Sequence, residues 1–381
     1  MSGQSFPVAK FPFPYKAAIA ISNDCEFMDL KSYKGLSGIL HDPAGLDLEI
    51  TSSIFFYVTN AICHSSVGYF QGLTSSPSEA APALTGLVRS GWIDTVHAYG
   101  DFDRGGFDRR MAESVANVCL KRNMCLPVWT NHGSSENVQN IGHRALTNYQ
   151  RGDDVDHPAY HLDLARLIGV RYFWVDNGLI SHPASGDPVL YQAEGRDGST
   201  LRLFNRYRGL AGKAAPNLES LAEQMTPGGI DAVIEKEAAC IYYQHLGVAR
   251  KNPDGSFDAG TAPFFDGAGL AALQYLSAQQ KAGQCLVAGV GRLLRYLDVR
   301  ERLHAISEGN SIVLYGADSV LAANDLCGIG VRLPKEHSAE ILVLKNADGR
   351  CIRLPARRQA AHDSSFHLLH VPWTRLEPFE W

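Results

Sequence analysis

The sequence predicts an α/β fold in which a (β/α) barrel is followed by a small C-terminal antiparallel β domain. Over residues 16–304, short apolar runs of strand length alternate with segments of helical character, and several strands end in polar residues. This alternation is typical of parallel sheets that carry functional residues at the carboxyl ends of their strands. Beyond residue 305, short alternating runs are separated by turn residues at 346–349, which indicates an antiparallel sheet.

Length and composition agree with two units of unequal size. The chain has 381 residues, which accommodates a barrel of about 250 residues and a smaller domain. We expect an N-terminal arm over 1–15, the barrel over 16–304 and a β-sandwich-like domain over 305–381. Hydrophobic residues make up 45% of the chain, so a large core can be buried. A net charge of −5 without any Lys/Arg-rich run argues against nucleic acid or an anionic membrane as a partner.

Targeting signals and cysteine spacing indicate the compartment. The N-terminus lacks the basic and apolar segments of a secretion signal, and no apolar run is long enough to span a bilayer. The eight cysteines form no Cys-x-x-Cys pair and several lie in apolar runs. We therefore expect a cytoplasmic protein with reduced, mostly buried thiols.

The first barrel strand is the most informative stretch of the sequence. An apolar run from Ala17 to Ile21 ends in Asn23, Asp24 and Glu26. Because residues i and i+2 of a strand share a face, both carboxylates are predicted to point at one site. One could hold a cation while the other remains free as a base. The alternative interpretation is a polar strand end that leads into a loop.

The other barrel elements follow in order along the chain. Further strands are predicted over 48–58, 93–97, 125–130, 170–175, 239–245 and 285–290. Helices are predicted over 80–91, 107–123, 158–168, 228–238 and 267–281. Residues 30–46 are predicted as a glycine-containing excursion. Residues 191–204 are predicted as a hairpin with an Asp-Gly turn, inserted near the site.

Polar residues collect where these strands end, and in a barrel such ends meet at one face. Carboxylate and neutral imidazole are ligands that zinc prefers, and a catalytic zinc site keeps three protein ligands and one open position. The spacing of His97 and Asp101 puts two ligands on one face if the chain turns helically after its strand. The collected residues are Asp24, Glu26, His97, Asp101, Asn131, His132, Asp176 and His245.

Read in order, these segments resemble the motif series of the polysaccharide deacetylase-like (NodB-homology) superfamily. That resemblance implies a distorted barrel, usually of seven strands. It covers roughly residues 15–300 and lies in the order and spacing of degenerate motifs. The matching segments are Asn23-Asp24-Cys25-Glu26, His97-Ala-Tyr-Gly-Asp101, Trp129-Thr-Asn-His132-Gly133, Tyr243-Gln244-His245 and Arg292-Leu-Leu-Arg-Tyr296.

The resemblance also implies roles for individual residues. Asp24 corresponds to the general base and His245 to the general acid. Glu26, His97 and Asp101 correspond to the metal ligands, with His132 replacing or joining Asp101. A backbone N–H near His132 would stabilise the oxyanion. Arg206 or Arg208 would tune the base, since the family's usual arginine motif is missing here. The residues assigned to substrate contact are Asn131, Tyr99, Asp176 and Arg206, although Tyr99 also suits a core position and Asp176 a strand-end turn.

The expected function is metal-dependent hydrolysis of the N-acyl amide of an amino sugar. The expected ion is zinc, with iron, manganese, nickel or cobalt as alternatives. The substrate would be a sugar nucleotide or a lipid-linked glycan under assembly for lipopolysaccharide O-antigen or another surface polysaccharide. Alternatives are acyl transfer to an amine, a non-catalytic glycan-binding barrel, and a glycosidase that uses Asp24 and Asp101. The β domain could bind carbohydrate or form a homodimer.

Overall fold

A computed structural model gives the fold of most of the chain. It describes residues 4–26, 28–58, 67–133, 137–142, 150–175, 188–209, 216–247, 265, 267–316, 321–360 and 365–381. In this part of the chain, no helix combines the length and apolar character needed to cross a membrane. None of the described cysteines forms a disulfide, and Cys25, Cys119, Cys240 and Cys285 are buried.

A mixed sheet of nine strands forms the centre of the molecule. The first strand of this sheet along the chain is β2 (Ala17–Asn23). It is buried along its whole length, which explains the apolar run from Ala17 to Ile21. Eight strands run parallel, and β7 pairs antiparallel with β8 at one edge. The strands are β2 (Ala17–Asn23), β3 (Ser52–Ile54), β4 (Ile93–His97), β5 (Val128–Thr130), β6 (Tyr172–Trp174), β7 (Leu190–Glu194), β8 (Thr200–Phe204), β9 (Ala239–Gln244) and β10 (Cys285–Val287).

The pairing order is β10, β2, β3, β4, β5, β6, β8 and β7, and β9 pairs with β2. The predicted α/β class is therefore confirmed. Within the described ranges, the named strands do not close into a barrel. A single parallel bridge joins Tyr207, shortly after β8, to Tyr242 of β9.

Helices connect most of these strands. Side-chain caps define several of them; for example, Asp108 accepts a hydrogen bond from the Arg110 N–H at the start of α3, and Asn123 ends that helix in the left-handed conformation. The helices are α1 (Leu30–Leu40), α2 (Ala81–Arg89), α3 (Arg109–Arg122), α4 (Leu162–Leu167), α5 (Leu221–Gln224), α6 (Pro227–Glu235), α7 (Gly267–Lys281) and α8 (Val290–Glu301).

Two sequence predictions were wrong in this region. The excursion predicted over 30–46 contains α1, which Asp29 caps by accepting a hydrogen bond from the Ser32 N–H at 2.6 Å. The helix buries Tyr33, Leu36 and Leu40 along one face. The hairpin predicted over 191–204 is confirmed, since β7 pairs antiparallel with β8, but it is not an insertion, because β8 pairs in parallel with β6 as part of the sheet.

The C-terminal region forms two further sheets. One has the order β1, β11, β12, β14 and β15, and the other has the order β13, β17 and β16. The predicted antiparallel arrangement is only partly correct, because β12 and β14 are parallel. The N-terminal strand β1 belongs to the same sheet through its pairing with β11. These strands are β1 (Ser5–Phe6), β11 (Leu303–Glu308), β12 (Ser311–Gly316), β13 (Gly330–Pro334), β14 (Ile341–Lys345), β15 (Cys351–Arg353), β16 (Arg357–Ala360) and β17 (Phe366–His370).

The last residues of the chain return to the central sheet and its helices. The Trp92 indole N–H donates to the Glu377 carbonyl at 2.8 Å, immediately before β4. The ring of Phe379 lies so close to Gly86 of α2 that a Cβ there would be 2.8 Å from it. The C-terminal segment is therefore packed against the side of the sheet that α2 covers.

Buried acidic groups hold the N-terminus of α8. The Gly289 N–H donates to Glu49 at 3.0 Å, and the Gly291 N–H donates to Asp94 at 2.8 Å. Negative charge is favourable at this position because the first N–H groups of a helix have no partner within the helix. Glu49 also pairs with Arg292 and accepts from the Leu376 N–H. Glu49 therefore links α8 to the C-terminal segment.

Replacement of Glu49 should destabilise the whole fold. Glu49→Ala leaves the Arg292 guanidinium and the Gly289 N–H without this partner, so we expect the free energy of unfolding to fall by about 3 kcal/mol. Glu113→Ala is the matched control, since Glu113 is half-exposed and pairs with Arg109 on the surface of α3. That change should cost less than about 1 kcal/mol. Urea denaturation followed by circular dichroism measures both, and equal losses would contradict the role of Glu49.

Candidate metal centre

The end of β2 holds two buried carboxylates. Asp24 is fully buried and Glu26 is 6% exposed. The strand end is fixed on both sides, since the Asn23 side chain donates to Ser52 at 2.8 Å and accepts from the Leu246 N–H at 2.7 Å. The Asp24 N–H continues the ladder by donating to the Gln244 carbonyl. The position of both carboxylates is therefore set by strand pairing.

Three imidazoles surround one oxygen of Glu26. Its Oε1 atom lies 2.7 Å from Nε2 of His97, 3.4 Å from Nε2 of His245 and 3.5 Å from Nε2 of His132. His97 is the last residue of β4, His132 follows β5 and His245 follows β9. The ends of three strands of the sheet therefore bring the histidines to one point. The other oxygen, Oε2, is buried and has no hydrogen-bond partner within the described part of the chain.

The second nitrogen of each ring has its own partner. Nδ1 of His97 lies 2.9 Å from the Thr130 hydroxyl, and Nδ1 of His132 lies 3.2 Å from an Asp103 oxygen. Nδ1 of His245 lies 2.8 Å from the Pro216 carbonyl. A carbonyl or carboxylate partner requires a proton on Nδ1, so the neutral rings of His132 and His245 direct the Nε2 lone pair at Glu26.

The electrostatics of the cluster favour positive charge beside Glu26. Burial alone would raise the pKa of Glu26, but His97 and His245 hold it well below its usual range. Burial alone would lower the pKa of His97, but Asp24 and Glu26 raise it. The pKa of His245 is raised against burial by Glu26. The carboxylates therefore stabilise a positive charge here, carried by protons or by a metal ion.

The side chains form three overlapping groups with ligand atoms close enough to share a metal ion. The first contains Glu26, His97 and His132, and the second contains Asp24, Glu26 and His245. The third contains Asp101, Asp103 and His132. Glu26 is common to the first two groups, and His132 connects the first with the third.

Asp101 does not occupy the position that helical spacing predicts. The chain does not turn helically after β4; Ala98 instead has a φ of 42°, and Gly100 forms a parallel bridge with Tyr57. A left-handed φ is uncommon for alanine and changes the direction of the chain sharply. Asp101 therefore lies with Asp103 and His132, whereas His132 is the second histidine that reaches Glu26.

Asp103 is a residue of the candidate centre that the sequence analysis did not single out. It bonds to Nδ1 of His132 and accepts from the Asn137 side chain at 3.0 Å. Gly133 has a φ of 66°, and a Cβ there would lie 1.8 Å from the Asp103 carboxylate. The close approach requires glycine. The available signal was the Asp101-Phe-Asp103 spacing, which repeats the i, i+2 pattern of Asp24 and Glu26.

Arg206 lies against Asp24. Its Nη1 atom donates to the two carboxylate oxygens at 2.8 and 2.9 Å and to the Ser22 hydroxyl at 3.0 Å. Its Cζ atom lies 3.7 Å from the centroid of the Trp174 ring and 4.0 Å from the centroid of the Tyr243 ring. Arg206 thus supplies the charge that compensates the buried Asp24.

Other predicted site residues have different positions. Tyr99 is fully buried, and its ring contacts Phe107, Trp129 and His161, so it belongs to the core. The Asn131 side chain is used in loop packing, where it accepts from the Trp129 indole and donates to the Ile141 carbonyl. The assignment of these two residues to substrate contact stays a prediction. Asp176 lies outside the described residues.

The backbone N–H of His132 is also occupied. It donates to the Asn140 side chain at 3.1 Å, and the Asn140 amide donates back to the His132 carbonyl at 2.8 Å. This pair of bonds fixes the loop that follows β5. The His132 N–H is therefore not the free oxyanion donor that the sequence analysis expected near this residue.

The donor set defines the class of the site, a buried histidine–carboxylate centre that could hold a metal ion. Comparison with models of protein families finds no match to this chain, and comparison with curated proteins finds none. The chemistry of the site is consequently argued from its own geometry.

His161 supports the loop that carries this centre. Its Nε2 lies 2.7 Å from the Gln139 carbonyl, and the Gln139 side chain bonds to the Tyr99 N–H and the Gly100 carbonyl. His161 is fully buried among aromatic rings. Burial lowers the pKa of His161 to about 4, against an ordinary value of 6.5, although the bond to Gln139 acts in the opposite direction.

Stability should therefore depend on pH through His161. Between pH 6.5 and pH 4 the unfolded chain binds a proton that folded His161 does not, so its contribution is fully present above pH 6.5 and is lost as the pH falls. The loss is about 3 kcal/mol at pH 4. Urea titrations across this range should show a shallower decline for His161→Gln than for the wild type. His157→Gln, at a partly exposed position, is the control; equal declines in all three proteins would contradict the assignment.

Proposed function

We propose that this protein is a metal-dependent amide hydrolase that removes the acyl group from an amino sugar. The observation that supports the proposal is the convergence of three imidazole Nε2 atoms on the Glu26 carboxylate, beside a second buried carboxylate, Asp24. Such a set combines ligands for a divalent ion with groups that could move a proton. The order of the segments that carry it resembles the polysaccharide deacetylase-like superfamily, as described above.

The fold fits the same proposal if the sheet is a distorted seven-stranded barrel. Its strands would be β2, β3, β4, β5, β6, β8 and β9. The bridge between Tyr207 and Tyr242 would then be the closing contact, supported by the hydrogen bond from the Tyr207 N–H to the Ile241 carbonyl at 2.6 Å. The candidate centre would lie at the carboxyl ends of the strands, where barrel enzymes carry their active sites.

Glu26, His97 and His132 would hold the ion. The unpartnered Oε2 atom of Glu26 fits this assignment, since a buried carboxylate oxygen without a hydrogen bond is costly unless a cation satisfies it. Two imidazoles and one carboxylate are a donor set suited to zinc, and iron, manganese, nickel and cobalt bind similar sets. When bound, the ion would polarise the amide carbonyl and lower the pKa of a water.

The residues around the centre would carry the proton transfers. Asp24 would accept the proton of the attacking water, and Arg206 would orient the Asp24 carboxylate through its hydrogen bonds. His245 would protonate the leaving amine through Nε2, which faces the cluster because Nδ1 is bonded to the Pro216 carbonyl. Asp103 would orient His132 from outside the ligand set.

The substrate class follows from the resemblance alone. We propose an N-acylated amino sugar linked to a nucleotide or to a lipid, used in the assembly of a surface polysaccharide in the cytoplasm. Transfer of the acyl group to another amine instead of water would use the same residues, and it would consume the N-acyl substrate without releasing the free acid.

Metal content tests the centre directly. Protein purified without added metal should contain near-stoichiometric zinc or a related ion by elemental analysis. His97→Ala and His132→Ala should each weaken binding of zinc by about 100-fold or more, because each removes a ligand that reaches Glu26. Asp101→Asn should retain the ion, since Asp101 groups with Asp103 and not with Glu26.

His304→Ala is the matched control for the loss of a histidine, because His304 is exposed on β11. A wild-type protein that neither contains nor binds zinc, iron, manganese, nickel or cobalt on titration would remove the basis of the hydrolase proposal. A glycan-binding barrel without catalysis would then be the better interpretation.

Activity tests the role of Asp24. Zinc-loaded protein should release acetate from at least one member of a panel of free and nucleotide-linked N-acetyl amino sugars. Asp24→Asn should lower the rate by about 100-fold or more while zinc content stays the same, because the amide cannot accept the proton. Unchanged turnover in Asp24→Asn would show that Asp24 is not the base.

A further inference from the structure

One edge of the Arg206 guanidinium has no partner. The side chain is 5% exposed, and its contact with Asp24 and Ser22 uses Nη1 alone. Nε and Nη2 are both buried and have no hydrogen-bond partner among the residues that the structure describes. Buried donors of a charged group are rarely left unsatisfied, because their desolvation is not compensated. The unpartnered edge therefore needs a chemical explanation.

The shape of this edge indicates what it would bind. The N–H groups of Nε and Nη2 lie parallel in the guanidinium plane, and their spacing matches the two oxygens of a carboxylate or phosphate. Asp24 does not fill this role, since both of its oxygens contact Nη1. A second oxyanion could therefore bind Arg206 without displacing Asp24.

The surroundings hold the edge in a fixed position inside the site. Trp174 and Tyr243 both lie against the guanidinium, so turning it to another partner would disturb its contacts with these two rings. The Tyr243 hydroxyl lies 3.3 Å from Nε2 of His245. Arg206 thus contacts Asp24, the proposed base, directly, and it is connected to His245, the proposed acid, through the Tyr243 side chain. Arg208, 5.7 Å from the same ring, adds a second positive charge, and its Nε is also unpartnered.

We propose that the Nε–Nη2 edge of Arg206 binds an oxyanion group of the substrate, a carboxylate or a phosphate. This inference rests on the proposed function and narrows its substrate to an acidic amino sugar. The anionic group and the amide would then be held on opposite sides of Asp24, which would orient the amide toward the metal ligands. Neutral amino sugars would lack this contact and bind more weakly.

The first test compares matched probes on the wild-type protein by isothermal titration calorimetry. D-glucuronate carries the carboxylate, D-glucuronamide is its neutral counterpart of the same shape, and glucose 1-phosphate carries the phosphate. D-glucuronate or glucose 1-phosphate should bind at least roughly tenfold more tightly than D-glucuronamide, since hydrogen bonds to charged groups are the stronger ones. The better of the two anions identifies the group. Equal affinity for all three probes would mean that water alone satisfies the edge, and would overturn the proposal.

The second test locates the contact. Arg206→Lys keeps a positive charge beside Asp24 but removes the bidentate edge, so affinity for the preferred anion should fall to the level of D-glucuronamide. Arg171→Lys is the control, at an exposed arginine before β6. Anion binding that survives in Arg206→Lys would contradict the proposal. If that variant does not fold, the comparison of the three probes on the wild type still decides it.

Metal content separates this inference from the proposed function. Each titration is made on zinc-loaded and on chelator-treated protein, with zinc measured in the same samples. Preference for the anion in both forms supports the Arg206 contact, whether or not the hydrolase proposal survives. Preference only in the zinc-loaded form, retained in Arg206→Lys, would place the anion on the metal and overturn the contact.

Discussion

The carboxylate of Glu26 is the group on which the arrangement of the site depends. A buried negative charge is costly unless opposite charge or hydrogen bonds surround it. Here the compensation comes from histidines on three different strands, and the neighbouring Asp24 is compensated separately by Arg206. The Nδ1 atom of each histidine has its own partner: Thr130 for His97, Asp103 for His132 and Pro216 for His245. Strand pairing, loop conformation and charge compensation therefore have to be satisfied together, which leaves the cluster little freedom to rearrange.

Elements with a strong local pattern could be predicted from the sequence, and β4 and α7 have the predicted bounds. The helix α1 was missed because glycines at 35 and 38 and serines at 32 and 37 weaken the helical pattern, although its buried face compensates for their low propensity. The pairing of β8 with β6 and of β12 with β14 could not be predicted, since both depend on contacts between distant segments.

In the candidate site, too, features with a local sequence pattern could be predicted and features that depend on the folded backbone could not. Residues at strand ends could be identified because the polarity changes abruptly there, and the structure brings Asp24, Glu26, His97, His132 and His245 together. Their partners depend on backbone conformation that sequence spacing does not reveal. The left-handed conformation of Ala98 turns the chain so that Asp101 does not lie beside Glu26. Gly133, which has no Cβ, leaves room for Asp103 to bond to Nδ1 of His132. Tyr99 packs in the core and Asn131 bonds within its loop, which shows that a polar group near a strand end can also serve local packing.

The return of the C-terminal segment to the central sheet affects how the molecule unfolds. Glu49 bonds to both α8 and the Leu376 N–H, Trp92 bonds to Glu377, and β1 joins the C-terminal sheet from the other end of the chain. The two units outlined by sequence therefore share partly buried hydrogen bonds across their boundary. Loss of either unit exposes partners in the other, so cooperative unfolding of the two as one thermodynamic unit is the physical consequence.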